Sequence, residues 1–270
     1  MSAIDVSRDG AVAFLWLDAP ERRNALGLEL FEELPVRMAE LDADRAVRCV
    51  VLAARGEAFS VGLDLKGGMG TDFMAYLQGG QAGERDALYR DIKRLQLACN
   101  CLADASTPVL AAVHGWCIGG GLDLIAACDL RYASADARLS LRETRMAMVA
   151  DLGSLQRLPY IINQGALREL AYTGRDFDAE EGLRLGLFNA VCPDRQALLE
   201  VVAEKARAIA ANSPLAVQGA KRVLNKQLED QVHAMLDYVA LWNASHLASA
   251  DLMEAVAAFV EKRDPDFKGE

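Results

Sequence analysis

Histidine, aromatic residues and positive charge are all scarce in this chain of 270 residues. The three histidines, His114, His233 and His246, show no ligand spacing. The six cysteines, Cys49, Cys99, Cys101, Cys117, Cys128 and Cys192, form no CxxC pair. No zinc or other metal site is therefore expected, and the thiols are expected as reduced core residues. Lysine and arginine total 29 against 39 acids, a formal charge of −10 with no basic cluster, which argues against a nucleic-acid or membrane-surface partner. No apolar run reaches the length of a membrane span. The first twenty residues lack a basic stretch followed by an apolar one, and they hold too many acids for a transit peptide, so a cytoplasmic location is expected.

What is present is an ordinary globular balance, 52% apolar and 25% charged, enough for one large core. Ala11–Leu17 predicts a strand ending in the turn Asp18-Ala19-Pro20. Leu28, Phe31, Leu34, Met38 and Leu41 recur at helical spacing, with a kink expected at Pro35. Arg48–Ala53 and Val109–Val113 are short apolar strands of the kind buried on both faces. A glycine-rich loop is expected over Gly67–Gly83, and Leu88, Ile92 and Leu95 restore a helix. The alternation of strand and helix predicts an α/β fold with parallel pairing. Beyond Arg195 only helical patterns remain: Leu198–Ile209, Pro214–Leu228, His233–Ala248 and Leu252–Val260. Two units follow, residues 1–195 and a helical tail, 196–270.

Between the strand Val109–Val113 and the next helix lies Gly115-x-x-x-Gly119-Gly120-Gly121. It lacks the Gly-Lys-Ser/Thr of a nucleotide phosphate loop and the spacing of a dinucleotide fingerprint. Two uses remain. It is a tight turn with close helix packing, or its N–H groups at a helix start polarise a carbonyl, forming half of an oxyanion hole. Gly120 is the position expected to need a positive φ. A second donor loop, Ala58–Leu65, follows the other buried strand. Downstream stand three acids, Asp123, Glu143 and Asp151, among apolar residues and glycines. Singly, each suits a helix cap or an ion pair with Arg131, Arg142 or Arg145. Together beside two donor loops they point to proton transfer. His114, between Val113 and Gly115, is expected to be structural.

The segments PERRNAL (20–26), FSVGLDL (59–65), AAVHGWCIGGGLDL (111–124), CDLRYAS (128–134), LQRLP (155–159) and YTGRDFDAEEGLRLGLFNAV (172–191) resemble the enoyl-CoA hydratase/isomerase, or crotonase, superfamily. The resemblance implies a spiral of ββα turns with a C-terminal helical trimerisation region. It implies a homotrimer or homohexamer, and an acyl-CoA thioester as substrate with no cofactor beyond the coenzyme A that the substrate carries. The family's two backbone donors fall on Leu63 and Gly120. The coenzyme A would lie along Arg23, Ala25, Val61, Gly62, Leu63, Asp64, Leu65, Lys66 and Gly120. Hydratases carry two glutamates where Asp123 and Glu143 stand, and usually a glycine in place of Asp151. The subgroup that converts 3,5-dienoyl-CoA to 2,4-dienoyl-CoA carries Asp, Glu and Asp, as here, spaced twenty and eight residues apart. That isomerisation is the expected reaction. The alternatives are hydration through Asp123 and Glu143, a one-acid 3-enoyl to 2-enoyl isomerisation, and a non-catalytic acyl-CoA-binding subunit.

Overall fold

The computed structural model describes residues 2–64 and 81–270. The strand expected near the N-terminus is the second arm of a hairpin, β1 (Ile4–Asp9) and β2 (Val12–Leu17), closed by Gly10-Ala11 with Gly10 at φ 57°. Helix α1 (Leu28–Ala43) turns Leu30, Phe31, Leu34, Met38 and Leu41 inward. Pro35 lies within α1, and the helix continues past it for two more turns. Then come β3 (Cys49–Ala54), α2 (Ala82–Asp104), β4 (Val109–Val113), β5 (Trp116–Ile118), α3 (Gly120–Ala126), β6 (Leu130–Ser134) and β7 (Arg138–Ser140). Much of the expected Gly67–Gly83 loop lies outside the described residues. Its end does not: Gln81 and Glu84 form a capping box, and α2 has begun at Ala82.

The chain goes on through α4 (Ser154–Arg157), α5 (Gln164–Thr173), β8 (Asp176–Asp178), α6 (Ala179–Leu185) and β9 (Ala190–Cys192). The tail comprises α7 (Arg195–Ala210), α8 (Pro214–Lys226), α9 (Glu229–His246) and α10 (Ala250–Glu261). One sheet has the order β1-β2-β3-β4-β6-β9, parallel except for the β1–β2 hairpin. A smaller sheet has the order β5-β7-β8.

Period-two side-chain alternation explains why β3 is apolar throughout. Val50, Leu52 and Ala54 join the main core with α1, α2 and α3, while Cys49, Val51 and Ala53 pack beneath Leu198, Val202 and Ala206 of α7. The first tail helix thus covers one face of the large sheet. Strand β4 leads to the short β5 and then to α3, and β3 is followed by a bridge from Ser60 to Cys117 that lays the next segment beside β5. Strands β4 and β6 hand the chain to the smaller sheet, and β3 does so through the Ser60 bridge, before a helix returns it, which makes a spiral of ββα turns. The tail is locked on by Lys221 of α8, whose buried ammonium meets the Asp129 carboxylate at 2.8 Å and donates to the carbonyls of Leu102 and Thr107.

Candidate active site

Three chain segments are laid side by side where the strands end. Leu26 N–H donates to the Gly62 carbonyl, and Asp64 N–H donates back to Leu26. Ser60 N–H donates to Trp116, and Ile118 N–H to Ser60. Asn24 holds the first two together. Its side chain accepts from Ala19 N–H and donates to the Arg55 and Ala58 carbonyls, while its own carbonyl accepts from Ser60 Oγ. Such a staple suits Asn, which tolerates its φ of 52° better than most residues.

This pairing uses the backbone of Leu26, Gly62 and Asp64 and leaves the N–H of Leu63 facing away. Gly120 is the first residue of α3, where an N–H has no partner within the helix. Among the described residues neither N–H donates to a protein acceptor. The two loops touch: a Cβ built on Gly62 would lie 3.0 Å from the Ile118 carbonyl oxygen and 3.7 Å from Gly120 N. The positive φ expected at Gly120 belongs to its neighbours, Gly119 (52°) and Gly62 (84°). A Cβ at Gly120 would stand 2.8 Å from Leu26 Cδ1, so the buried Leu26 side chain would have to shift to admit it.

Leu63 and Gly120 line one cleft with Asp123, Glu143 and Asp151, about 860 Å³ in all and part of it open to solvent. Leu28, Leu88, Ile92, Leu95, Met148 and Leu152 make its walls mainly apolar. Asp123 is 1% exposed, in the first turn of α3. Its Oδ1 accepts from Ser154 N–H at 2.5 Å. Glu143 opens a 3-10 turn after β7 and lies against Gly119; its buried Oε2 has no partner among the described residues. Asp151 Oδ2 accepts from Asn243 Nδ2 at 2.7 Å. Glu143 and Asp151 are half-buried: protein encloses each, but a side faces the cleft.

Burial raises all three acids, and the Asp123 carboxylate adds to the rise at both Glu143 and Asp151. For Asp123 the rise is opposed by the Ser154 contact and by the nearby Arg157 guanidinium. For Asp151, pushed up to about 7, the Asn243 amide opposes burial and the Asp123 carboxylate reinforces it. Glu143 is raised furthest, by burial and then by the charges of Asp123 and Asp151. The order follows the hydrogen-bond donors each group has. The arginines near in sequence do not neutralise these acids. Arg131 donates to the carbonyls of Leu187, Ile125 and Cys128, Arg142 pairs with Asp176, and Arg145 packs on Gly174.

The segments expected to meet coenzyme A adjoin this cleft. Val61 N–H donates to the Arg23 carbonyl, which sets Arg23, Ala25, Val61, Gly62 and Asp64 beside the Leu63 donor. Arg23 is exposed, whereas Arg22 is tied to Glu29 and Asp64. Leu65 and Lys66 lie outside the described residues. His114 is buried against the Gly56 carbonyl and does not line the cleft. Asn243, Gln96, Ser154 and Arg157 were not foreseen. Their signal was faint: Asn243 and Gln96 each interrupt an apolar stripe, on α9 and α2.

The raised Asp151 makes a stability prediction with a definite sign. Between about pH 4, its ordinary range, and about pH 7, the folded protein binds a proton that the unfolded chain has released, so this group's contribution to stability falls as pH rises through that window. Asp151→Asn removes the effect. We expect the variant to match wild type near pH 4 and to exceed it by on the order of 1–2 kcal/mol at pH 8, the shift being discounted for exposure to the cleft. Urea unfolding at both pH values measures it. A variant less stable than wild type at pH 8 contradicts the assignment.

The chain is similar to proteins of one family along its whole length. The enoyl-CoA hydratase/isomerase family model matches residues 7–270. A peroxisomal Delta(3,5)-Delta(2,4)-dienoyl-CoA isomerase of Arabidopsis thaliana is 40% identical over 267 residues, 99% of this chain and 96% of that protein. A mitochondrial one of Dictyostelium discoideum is 40% identical over 257 residues, 95% of this chain and 87% of that protein. The crystal structure of an enoyl-CoA hydratase/isomerase from Pseudoalteromonas atlantica superposes with a TM-score of 0.85 at 30% identity, covering 98% of this chain and all of that one. The organelle names of these relatives overturn the expected cytoplasmic location. Cellular addresses are read from short segments by receptors, so composition and fold do not carry them. By sequence and by fold, the chain belongs to the enoyl-CoA hydratase/isomerase family.

Proposed function

We propose that the protein isomerises 3,5-dienoyl-CoA to 2,4-dienoyl-CoA. The observation that carries this reading is the convergence, on one apolar cleft, of three carboxyl groups and two backbone N–H groups without an acceptor among the described residues. Fold alone does not choose among reactions, and the acids do. The thioester oxygen sits between Leu63 N–H and Gly120 N–H. Asp151 removes a proton from C2, and the electron pair of that C–H bond delocalises over the acyl chain and onto this oxygen. The two donors stabilise the resulting anion. Glu143 then protonates C6, leaving double bonds at C2–C3 and C4–C5. C2 and C6 are four bonds apart, so two acids serve where one would not reach. Each turnover leaves a proton on Asp151 and takes one from Glu143, and exchange with solvent resets the pair. Asp123, hydrogen-bonded by Ser154 N–H and near the Arg157 guanidinium, is raised least of the three and keeps the other two poised.

The segments Arg23–Ala25 and Val61–Lys66, with Gly120, receive the coenzyme A, and the exposed Arg23 meets a phosphate. No separate cofactor takes part. The core of residues 1–195 carries most of the acyl-CoA site, with Asn243 and Leu247 of the tail on the cleft wall, and residues 196–270 also serve assembly into a homotrimer or homohexamer. Support for assembly comes from exposed apolar side chains on α8 and α9: Leu215, Val223, Leu224, Tyr238, Leu241 and Trp242. Leu236 and Val239 of α9 and Leu252 of α10 are already buried within the subunit and are not available to it. Light scattering at micromolar concentration should give a trimer or its multiple, and a stable monomer contradicts this.

The mechanism separates two variants. Asp151→Asn keeps the shape and removes the base, so both isomerisation and C2–H exchange in deuterated solvent should fall by about 10²–10⁴. Glu143→Gln removes only the C6 donor, so exchange at C2 should outlive net isomerisation. Hydration through Asp123 and Glu143 would leave Asp151 dispensable. If Asp151→Asn retains both exchange and product formation, the proposed reaction is wrong.

A further inference from the structure

Asn243 is a polar residue in the wrong company. It stands in the α9 stripe Val232, Leu236, Val239, Ala240, Asn243 and Ala244, all buried, and it is 3% exposed. A side-chain amide costs free energy there unless its groups are bonded. Both hydrogens of its Nδ2 are used, one on Asp151 Oδ2 at 2.7 Å and one on the Val149 carbonyl at 2.8 Å. From α2, Gln96 Nε2 donates to the Asp151 carbonyl at 2.7 Å and to the Leu236 carbonyl of α9 at 3.0 Å. Two helices therefore grip the Asp151 segment, and one of them holds a single carboxylate oxygen.

We infer that Asn243 is a positioning residue for Asp151. By occupying Oδ2 it leaves Oδ1 as the oxygen that meets the C2 proton, and it favours the charged form that a base requires. The inference rests on the proposed role of Asp151. It also gives the tail helix a part in the chemistry, because the face of α9 opposite Asn243 carries the exposed Tyr238, Leu241 and Trp242. Among the described residues, the other charged groups around the cleft are Asp123 on α3, Glu143 in its 3-10 turn, Asp91 and Arg94 on α2, with Arg157 of α4 behind Asp123. Of these, Asp123 opposes ionisation of Asp151; the Asn243 amide is the larger of two donors that counter it, the other being the backbone N–H of Asp151 itself.

The test uses Asn243→Leu, close in volume but without donors, and Asn243→Ser, which is polar but too short to reach Asp151. For each, the pH profile of kcat/KM on 3,5-dienoyl-CoA and the rate of C2–H exchange are measured, with circular dichroism as the check on folding. Loss of a hydrogen bond to the charged form should raise the acidic limb of the profile by about one pH unit in both variants. We also expect kcat to fall by about 10–100-fold with KM changed less than threefold. A residue that only packs would lower stability and leave the limb in place, and that result in either folded variant overturns the inference. Asp151→Asn run alongside keeps the two readings apart. If it retains C2–H exchange, the role of Asp151 itself has failed. If it abolishes exchange while the Asn243 variants keep the wild-type limb, only the positioning role has failed.

Discussion

Burial of Asp123, Glu143 and Asp151 around one cleft, with the Asp123 charge acting on the other two, is the constraint on which the site depends. An apolar cleft raises the cost of every ionised carboxylate, and each charge raises it again for the next. The protein does not neutralise the three alike. Asp123 receives a backbone N–H and lies near Arg157, Asp151 receives one side-chain amide, and Glu143 keeps a buried oxygen without a partner among the described residues. Three acids of similar intrinsic strength are spread over a range of proton affinities by the number of donors around them. A shuttle needs that spread, since a base must be empty and an acid loaded at the same pH.

The fold serves this arrangement by bringing together segments distant in sequence. The two N–H donors come from loops that follow separate strands of the large sheet, and pairing through Ser60 and Ile118 fixes them side by side. Glycine at 62, 119 and 120 keeps side chains out of the space between, by positive φ at the first two and by the closeness of Leu26 at the third. The donors are main-chain groups, so their geometry is as firm as the sheet that holds them.

Much of this was legible in the sequence, for identifiable reasons. Arg48–Ala53 and Val109–Val113 read as buried strands because both their faces are covered, and the tail helices were marked by apolar spacing. The hairpin strand β1 was missed, since its residues from Val6 to Asp9 are progressively exposed. Strands β5, β7 and β8 were missed because three residues each are too short to show a period. Asp123, Glu143 and Asp151 were found through their frame of glycines and apolar runs. Asn243 was not, because it lies 92 residues from Asp151 and meets it only through the packing of α9 on α2.

The central claim is that one proton leaves C2 and another arrives at C6, with no water added. It is tested most directly by turning over 3,5-dienoyl-CoA with the wild-type protein in deuterated water and locating the label by NMR and mass spectrometry. The account predicts a 2,4-dienoyl-CoA product carrying deuterium at C6. A hydroxylated product, or deuterium delivered to C4 in place of C6, would contradict it.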